Sequence, residues 1–197
     1  MFRKFNLKEL LNDGLKEIIL SDNMIYSVLF HIIIPLIIAI VLILFNVFFD
    51  NDIISNLISS ISIFSGLLFS VIFVVIDNYS KRRDSLGTNP NEEKKNYLKR
   101  YKIFTESVTT LILFSVAIAC ITVIILLTYL LCYKGDMSIW KDIFDSNNET
   151  INFSQVRAFG LWFLQIVSFI TLFNYLLVII VLINEVYKMV FDDINHL

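Results

Sequence analysis

The stretch DNYSKRRDSLGTNPNEEKKNYLKRYKIFT, residues 77–105, carries Lys81, Arg82, Arg83, Lys94, Lys95, Lys99, Arg100 and Lys102 between two long apolar runs. It divides the chain into two membrane hairpins. Because Lys and Arg collect on the cytoplasmic side of membrane proteins, this segment predicts its own location and, through it, that of every other loop.

Bulk composition agrees. The 197 residues are 57% hydrophobic and only 17% charged, with a mean hydropathy of +0.74, against about half apolar and a quarter charged in a soluble domain. The net charge of −2 and pI near 5.7 say little about partners, so the position of the charges matters more than their sum. Four spans of about 20 residues each consume much of the chain and leave no room for a soluble domain of ordinary size. Cys120 and Cys132 are about 18 Å apart along one helix, too far to pair, and read as packed small side chains. The first twenty residues mix Lys, Glu and Asp with Leu. That is not a cleavable signal, so the first span is expected to act as the insertion signal.

Working outward, residues 1–23 form a cytosolic segment with an amphipathic helix from Asn6 to Leu20. Leu7, Leu10, Leu11, Leu15 and Ile18 share one side, which suits the membrane interface or a protein neighbour. The first hairpin, 24–76, opens with a span from Met24 to Phe49. Pro35 within it removes a hydrogen bond and bends the helix near His31. His31 then lies two turns inside the span, either as a pH-responsive group or as a neutral ring bonded to backbone or headgroup water. After a tight turn at 50–54, the second span presents Ser55, Ser59, Ser62, Gly66 and Ser70 within about 80° of arc. Such a face suits close helix packing or the wall of a narrow pore in an oligomer.

In the cytosolic hairpin, 77–106, a first arm runs on from the second span. A second arm starts where Asn89 caps a helix with Pro90 at its first position. Tyr97 and Tyr101 lie one turn apart beside Lys94 and Lys99, and together they read as a docking face. The second hairpin, 107–183, holds scattered hydroxyls (Thr109, Thr110, Ser115, Thr122, Thr128) that form no clean stripe, then an outer segment at 134–155 with Trp140 as interface anchor. Asn148-Glu149-Thr150 matches a glycosylation acceptor by chance. In the last span Gln165 and Asn174 sit nine residues apart, on opposite sides of the helix, and both need partners in hydrocarbon. Residues 184–197 form an acidic cytosolic tail.

With both termini inside, thirteen of the sixteen Lys and Arg fall on the inner side, leaving Lys134, Lys141 and Arg157 outside. The expected fold is therefore an all-α, four-span protein of the bacterial inner membrane. No metal-ligand spacing, Gly-rich loop or nucleophile motif occurs, and no charged pair lies within a span, so neither an enzyme nor a monomeric transporter is expected and no cofactor is implied. Two classes fit. One is an oligomeric sensor or scaffold whose basic hairpin (Lys81, Arg82, Arg83, Lys94, Lys95, Tyr97, Lys99, Arg100, Tyr101) meets a cytosolic partner or anionic lipid. The other is an oligomeric channel or depolarising effector lined by the serine face.

In size, span number and long basic hairpin from Ser80 to Lys102, the chain resembles small tetraspan subunits of bacterial anti-phage systems, most of all the KwaA family of Kiwa defence membrane subunits. The resemblance covers the architecture and carries no diagnostic motif. It implies an inner-membrane homo-oligomer, a tetramer, that detects phage attack and works with a cytosolic DNA-binding partner, KwaB, without itself binding nucleic acid.

Overall fold

A computed structural model describes residues 7–19, 29–45, 47, 49–85, 92–134 and 153–195. Among these the elements are helical throughout: α1 (Leu7–Ile19), a π-helical turn (Leu29–Ile33), α2 (Ile34–Leu44), α3 (Asn51–Ser85), α4 (Glu92–Lys134) and α5 (Phe153–Asn195). The long runs are rich in Ile, Val and Phe, residues that favour strands in water. In hydrocarbon every backbone group must be satisfied within the segment, and helix wins. Three helices, over Asn51–Asp84, Glu92–Tyr133 and Val156–Phe191, are long and apolar enough to cross a membrane; His31–Leu44 is a shorter apolar helix. The start of the expected first span at 24, the Asn89 cap with Pro90, and the outer segment with Trp140 and Asn148 lie outside the described residues.

α4 is the centre of the bundle, packed on α5, α3 and α1, while α2 packs on α5. The two arms of the expected first hairpin therefore lean on different helices. The packing is written into the chain at alternating spacings of four and three, the repeat that keeps one seam facing a neighbour. On α4 that ridge is Tyr101, Thr105, Val108, Ile112, Ser115, Ala119, Thr122, Leu126 and Tyr129, all buried. Four of its nine members are hydroxyl or alanine side chains small enough to let helices approach closely. The scattered hydroxyls of this run thus do contribute to one stripe, once Thr105 and Ala119 are counted with Ser115 and Thr122. Ser115 and Thr122 bond back to their own helix, to the Ile112 and Ile118 carbonyls, while the buried Thr105 and Thr109 hydroxyl oxygens have no partner among the described residues.

The first apolar segment departs most from expectation. α2 ends at Leu44 and α3 begins at Asn51, because Asp50 caps the new helix: its carboxylate accepts the Asn51 N–H at 2.6 Å and its carbonyl the Ile54 N–H at 3.0 Å. Between the helices Phe49 turns inward, stacking on Phe169 at 4.4 Å and meeting Tyr129 edge-on at 6.2 Å.

α1 forms within the expected range, yet its contact face is turned from the leucine stripe. Gly14 and Ile18 are buried, Leu10 and Glu17 half-buried, and Leu15 remains exposed. The Ser107 hydroxyl donates to the Glu17 carboxylate at 2.9 Å. Ile18 shares a buried cluster with Val75, Tyr101, Val108 and Met189, so all three long helices and α1 meet at the hairpin end of the molecule.

Candidate functional site

Two polar assemblies stand out. The first joins the arms at the hairpin end. α3 runs on to Ser85 and α4 starts at Glu92, giving the two expected helical arms. Tyr79 stacks on Tyr101, centroids 6.5 Å apart and planes 5° from parallel, and Tyr97 lies 6.1 Å from Tyr101. Arg82 donates to the Tyr97 hydroxyl and holds its guanidinium 4.6 Å over the Tyr101 ring, a cation–π contact strengthened by exclusion of water. Tyr101 is only 3% exposed. The expectation that Tyr97 and Tyr101 form part of an outward docking face is therefore corrected. They and Arg82 are the seam between the arms, and three aromatic rings with one guanidinium are what hold two otherwise charged helices together.

The remaining cations point outward. Lys81 pairs with Asp77 at 2.6 Å, Arg83 with Asp84 at 3.2 Å and Lys102 with Glu106 at 3.6 Å. These are exposed local pairs of small energetic value. Arg100 is exposed and engaged with a neighbour. Lys94, Lys95 and Lys99 are exposed and have no ion-pair partner among the described residues. They spread over about 140° of arc on the second arm, beside the exposed Glu92 and Glu93 of its first turn.

The second assembly lies in the middle of the bundle. Proline at 35 lacks an N–H, which leaves the carbonyl four residues back, that of His31, without its helical donor. The Asn174 amide supplies one: Nδ2 donates to the His31 carbonyl at 2.9 Å and to the Ile170 carbonyl at 3.0 Å. Its Oδ1 lies 2.9 Å from His31 Nδ1. With the amide nitrogen committed to two carbonyls, Oδ1 is the acceptor and the ring carries its proton on Nδ1. The kink predicted at His31 and Pro35 thus appears as a π turn, with the freed carbonyl satisfied from another helix.

His31 is deeper than its place in the sequence implies. Counting fourteen residues along the antiparallel arms from the Tyr79–Tyr101 stack brings Ser65 level with Ser115. Counting from Arg157, which donates to the Cys132 and Tyr133 carbonyls at the far end of α4, brings Ser115 level with Asn174. The hydrogen bond of 3.3 Å between Ser65 and Tyr175 closes the same layer independently. His31 therefore sits halfway along the apolar run of α3, not two turns inside one end. At the far end Gln165, fully buried, donates from Nε2 to the Val47 carbonyl at 2.9 Å. Gln165 and Asn174 lie on opposite sides of α5 yet both bond the first apolar segment, because that segment crosses α5 diagonally. No residue from 164 to 175 on α5 is exposed.

The serine stripe lies elsewhere. Ser55, Ser59, Ser62, Gly66 and Ser70 are all exposed, about 140° around α3 from its packed ridge. Ser59, Ser62 and Ser70 donate to the carbonyls of Ser55, Ile58 and Gly66, and a Cβ at Gly66 would meet nothing within 4 Å. Among the described residues the stripe takes no part in packing.

Sequence reasoning found His31, Pro35, Gln165 and Asn174 individually and missed their pairing. The available signal was that Pro35 frees one acceptor and that the last span holds an amide seeking partners. It also missed Arg82 as the centre of the seam and Arg157 as the cap of α4. Groups of three or more His, Cys, Asp or Glu placed to hold a metal ion do not occur among the described residues. Comparison of the chain with known protein families, with characterised proteins and with solved structures finds no match.

Proposed function

We propose that the protein is a four-span scaffold of the bacterial inner membrane that works as a homo-oligomer and presents its hairpin arms to an acidic cytosolic protein, as part of a response to phage. The fourth crossing is the first apolar segment. Supporting it, α1 lies against Ser107 at the hairpin end, whereas Phe49 packs by Tyr129 and Phe169 toward the other, so the chain between them travels along the bundle. The positive-inside pattern then puts the arms in the cytoplasm with both termini.

The observation that carries the partner reading is the division of labour on the second arm. Its tyrosines turn inward to lock the arms, and Lys94, Lys95 and Lys99 are left exposed with no ion-pair partner among the described residues. A preformed positive surface loses little entropy on binding and recruits acidic partners quickly. The outward Ser55–Ser70 stripe suits contact between copies, since no described residue lies within 4 Å of a Cβ placed on Gly66.

The test is recovery of cytosolic proteins on the tagged, membrane-inserted chain. Lys94→Glu, Lys95→Glu and Lys99→Glu together should abolish recovery of a specific partner without altering insertion or oligomer size, and undiminished recovery would refute the reading. Ion flux through vesicles holding only this protein would instead favour the channel reading.

A further inference from the structure

We propose that two copies of this chain meet along one ridge of α5, a parallel seam that starts within the membrane and runs on beyond it at the hairpin end. The ridge is Leu176, Ile180, Ile183, Tyr187 and Val190. Its spacings of four, three, four and three are the heptad repeat that keeps one side of a helix against another helix of the same period. All five residues are between 49% and 65% exposed. The packed side of α5, through Tyr175, Val178, Leu182 and Met189, is buried in the bundle. It lies about 140° around the helix, so the ridge is a second seam and not the edge of the first.

Exposed apolar side chains in a span ordinarily face lipid, but this ridge outruns it. Arg157 marks the outer end of α5, where it caps α4. Val190 stands about 50 Å farther along the helix, more than the roughly 40–45 Å of a bilayer with its headgroups. Lipid tails can cover Leu176 and Ile180 but not Tyr187 and Val190, and a soluble protein reaches only the last two. A second copy covers all five. Every copy in the membrane has the same orientation and depth, so α5 beside α5 is parallel and in register, and a two-fold axis along the membrane normal sets each ridge residue against its own counterpart. Charge placement agrees. The charged residues of 176–190 are Glu185 and Lys188, about 180° and 120° around the helix from the ridge, and they pair with each other at 2.6 Å. Two ridges therefore meet without burying a charge. Phe191, also exposed, stacks on Tyr187 with centroids 6.1 Å apart and widens the ridge at its wet end, where removing apolar surface from water favours contact. The inference deepens the homo-oligomer reading above and rests on it; the serine stripe of α3 stays free to join pairs into larger assemblies.

The experiment uses the full chain with Cys120→Ser and Cys132→Ser, purified and reconstituted at low protein-to-lipid ratio in phosphatidylethanolamine–phosphatidylglycerol vesicles. Single cysteines are placed on the ridge (Ile183→Cys or Val190→Cys), off it (Lys188→Cys) and on the serine stripe (Ser59→Cys), then oxidised with copper phenanthroline. Both ridge variants should give covalent dimers several-fold faster than Lys188→Cys. Tyr187→Glu with Val190→Glu, at positions away from the packed side, should lower the number of copies per particle in single-molecule photobleaching while leaving helix content unchanged. Equal rates on and off the ridge would mean random collision and refute the seam. Cross-linking at Ser59 alone, with copy number unaltered by the two glutamates, refutes it too and leaves the homo-oligomer standing. Single copies of the parent at every lipid dilution would show that lipid covers the ridge, and would overturn the homo-oligomer reading along with the seam.

Discussion

Replacing Asn174 with leucine removes the donor to the His31 carbonyl and the acceptor of the His31 ring N–H in one step. The carbonyl cannot turn back to its own helix, because Pro35 has no N–H to offer. Two polar groups midway through an apolar layer are then left unpaired. With about 1 kcal/mol for each such loss inside a membrane bundle, the cost is about 2 kcal/mol, or about thirtyfold in the folded-to-unfolded ratio. The prediction sharpens when the proline is removed as well. Pro35→Ala restores an N–H able to reach the His31 carbonyl, so in that background Asn174→Leu strands only the ring N–H and should cost about 1 kcal/mol. The two substitutions therefore couple by about 1 kcal/mol in a double-mutant cycle, the measurement suited to neighbouring groups. The assay is reversible unfolding in mixed micelles with increasing dodecyl sulfate, followed by circular dichroism. Equal penalties for Asn174→Leu with proline and with alanine at 35 would show that Asn174 does not substitute for the missing donor, and would refute the account of the kink.

Gln165→Leu strands the Val47 carbonyl and should cost about 1 kcal/mol in the same assay; a neutral or stabilising result would mean that the Phe49 stack alone fixes the linker. Arg82→Leu removes both the Tyr97 hydrogen bond and the cation–π contact, and the arms should become cleavable by trypsin several-fold faster at Lys94, Lys95 and Lys99 while the spans stay protected. Unchanged cleavage would show that the tyrosine stack suffices. Arg157→Leu leaves the last carbonyls of α4 uncapped and should lower stability by about 1 kcal/mol in the same assay; Arg157→Lys should recover most of it, since one nitrogen, Nη2, donates both bonds.

Much of the architecture was legible because it rests on one-dimensional properties. Apolar runs longer than a bilayer is thick must be helices, the Lys and Arg cluster marks the turn between two of them, and Pro35 marks a kink whatever surrounds it. Two helical arms were foreseen, whereas the expected start of the second at Asn89 and Pro90 lies outside the described residues. The serine stripe was read correctly as a face of α3, while its outward direction was not legible, since spacing says which residues share a face and not what the face meets. The four-three ridge on α4 escaped notice for a related reason. Its small polar members are interleaved with Val, Ile and Leu, and in an apolar run every face looks ready to pack.

What the sequence by itself determined is the helical class, the charged hairpin and the existence of unsatisfied polar groups at His31, Gln165 and Asn174. Only the tertiary structure decided that the tyrosines of the hairpin close on Arg82, and that the first apolar segment crosses α5 so that one asparagine supplies the donor a proline withholds. The physical reason is that hydrogen-bond demand is a property of each residue, whereas its satisfaction depends on which distant helix comes within 3 Å. For Pro35 and Asn174, 139 positions apart, only the packing of α2 across α5 could settle that.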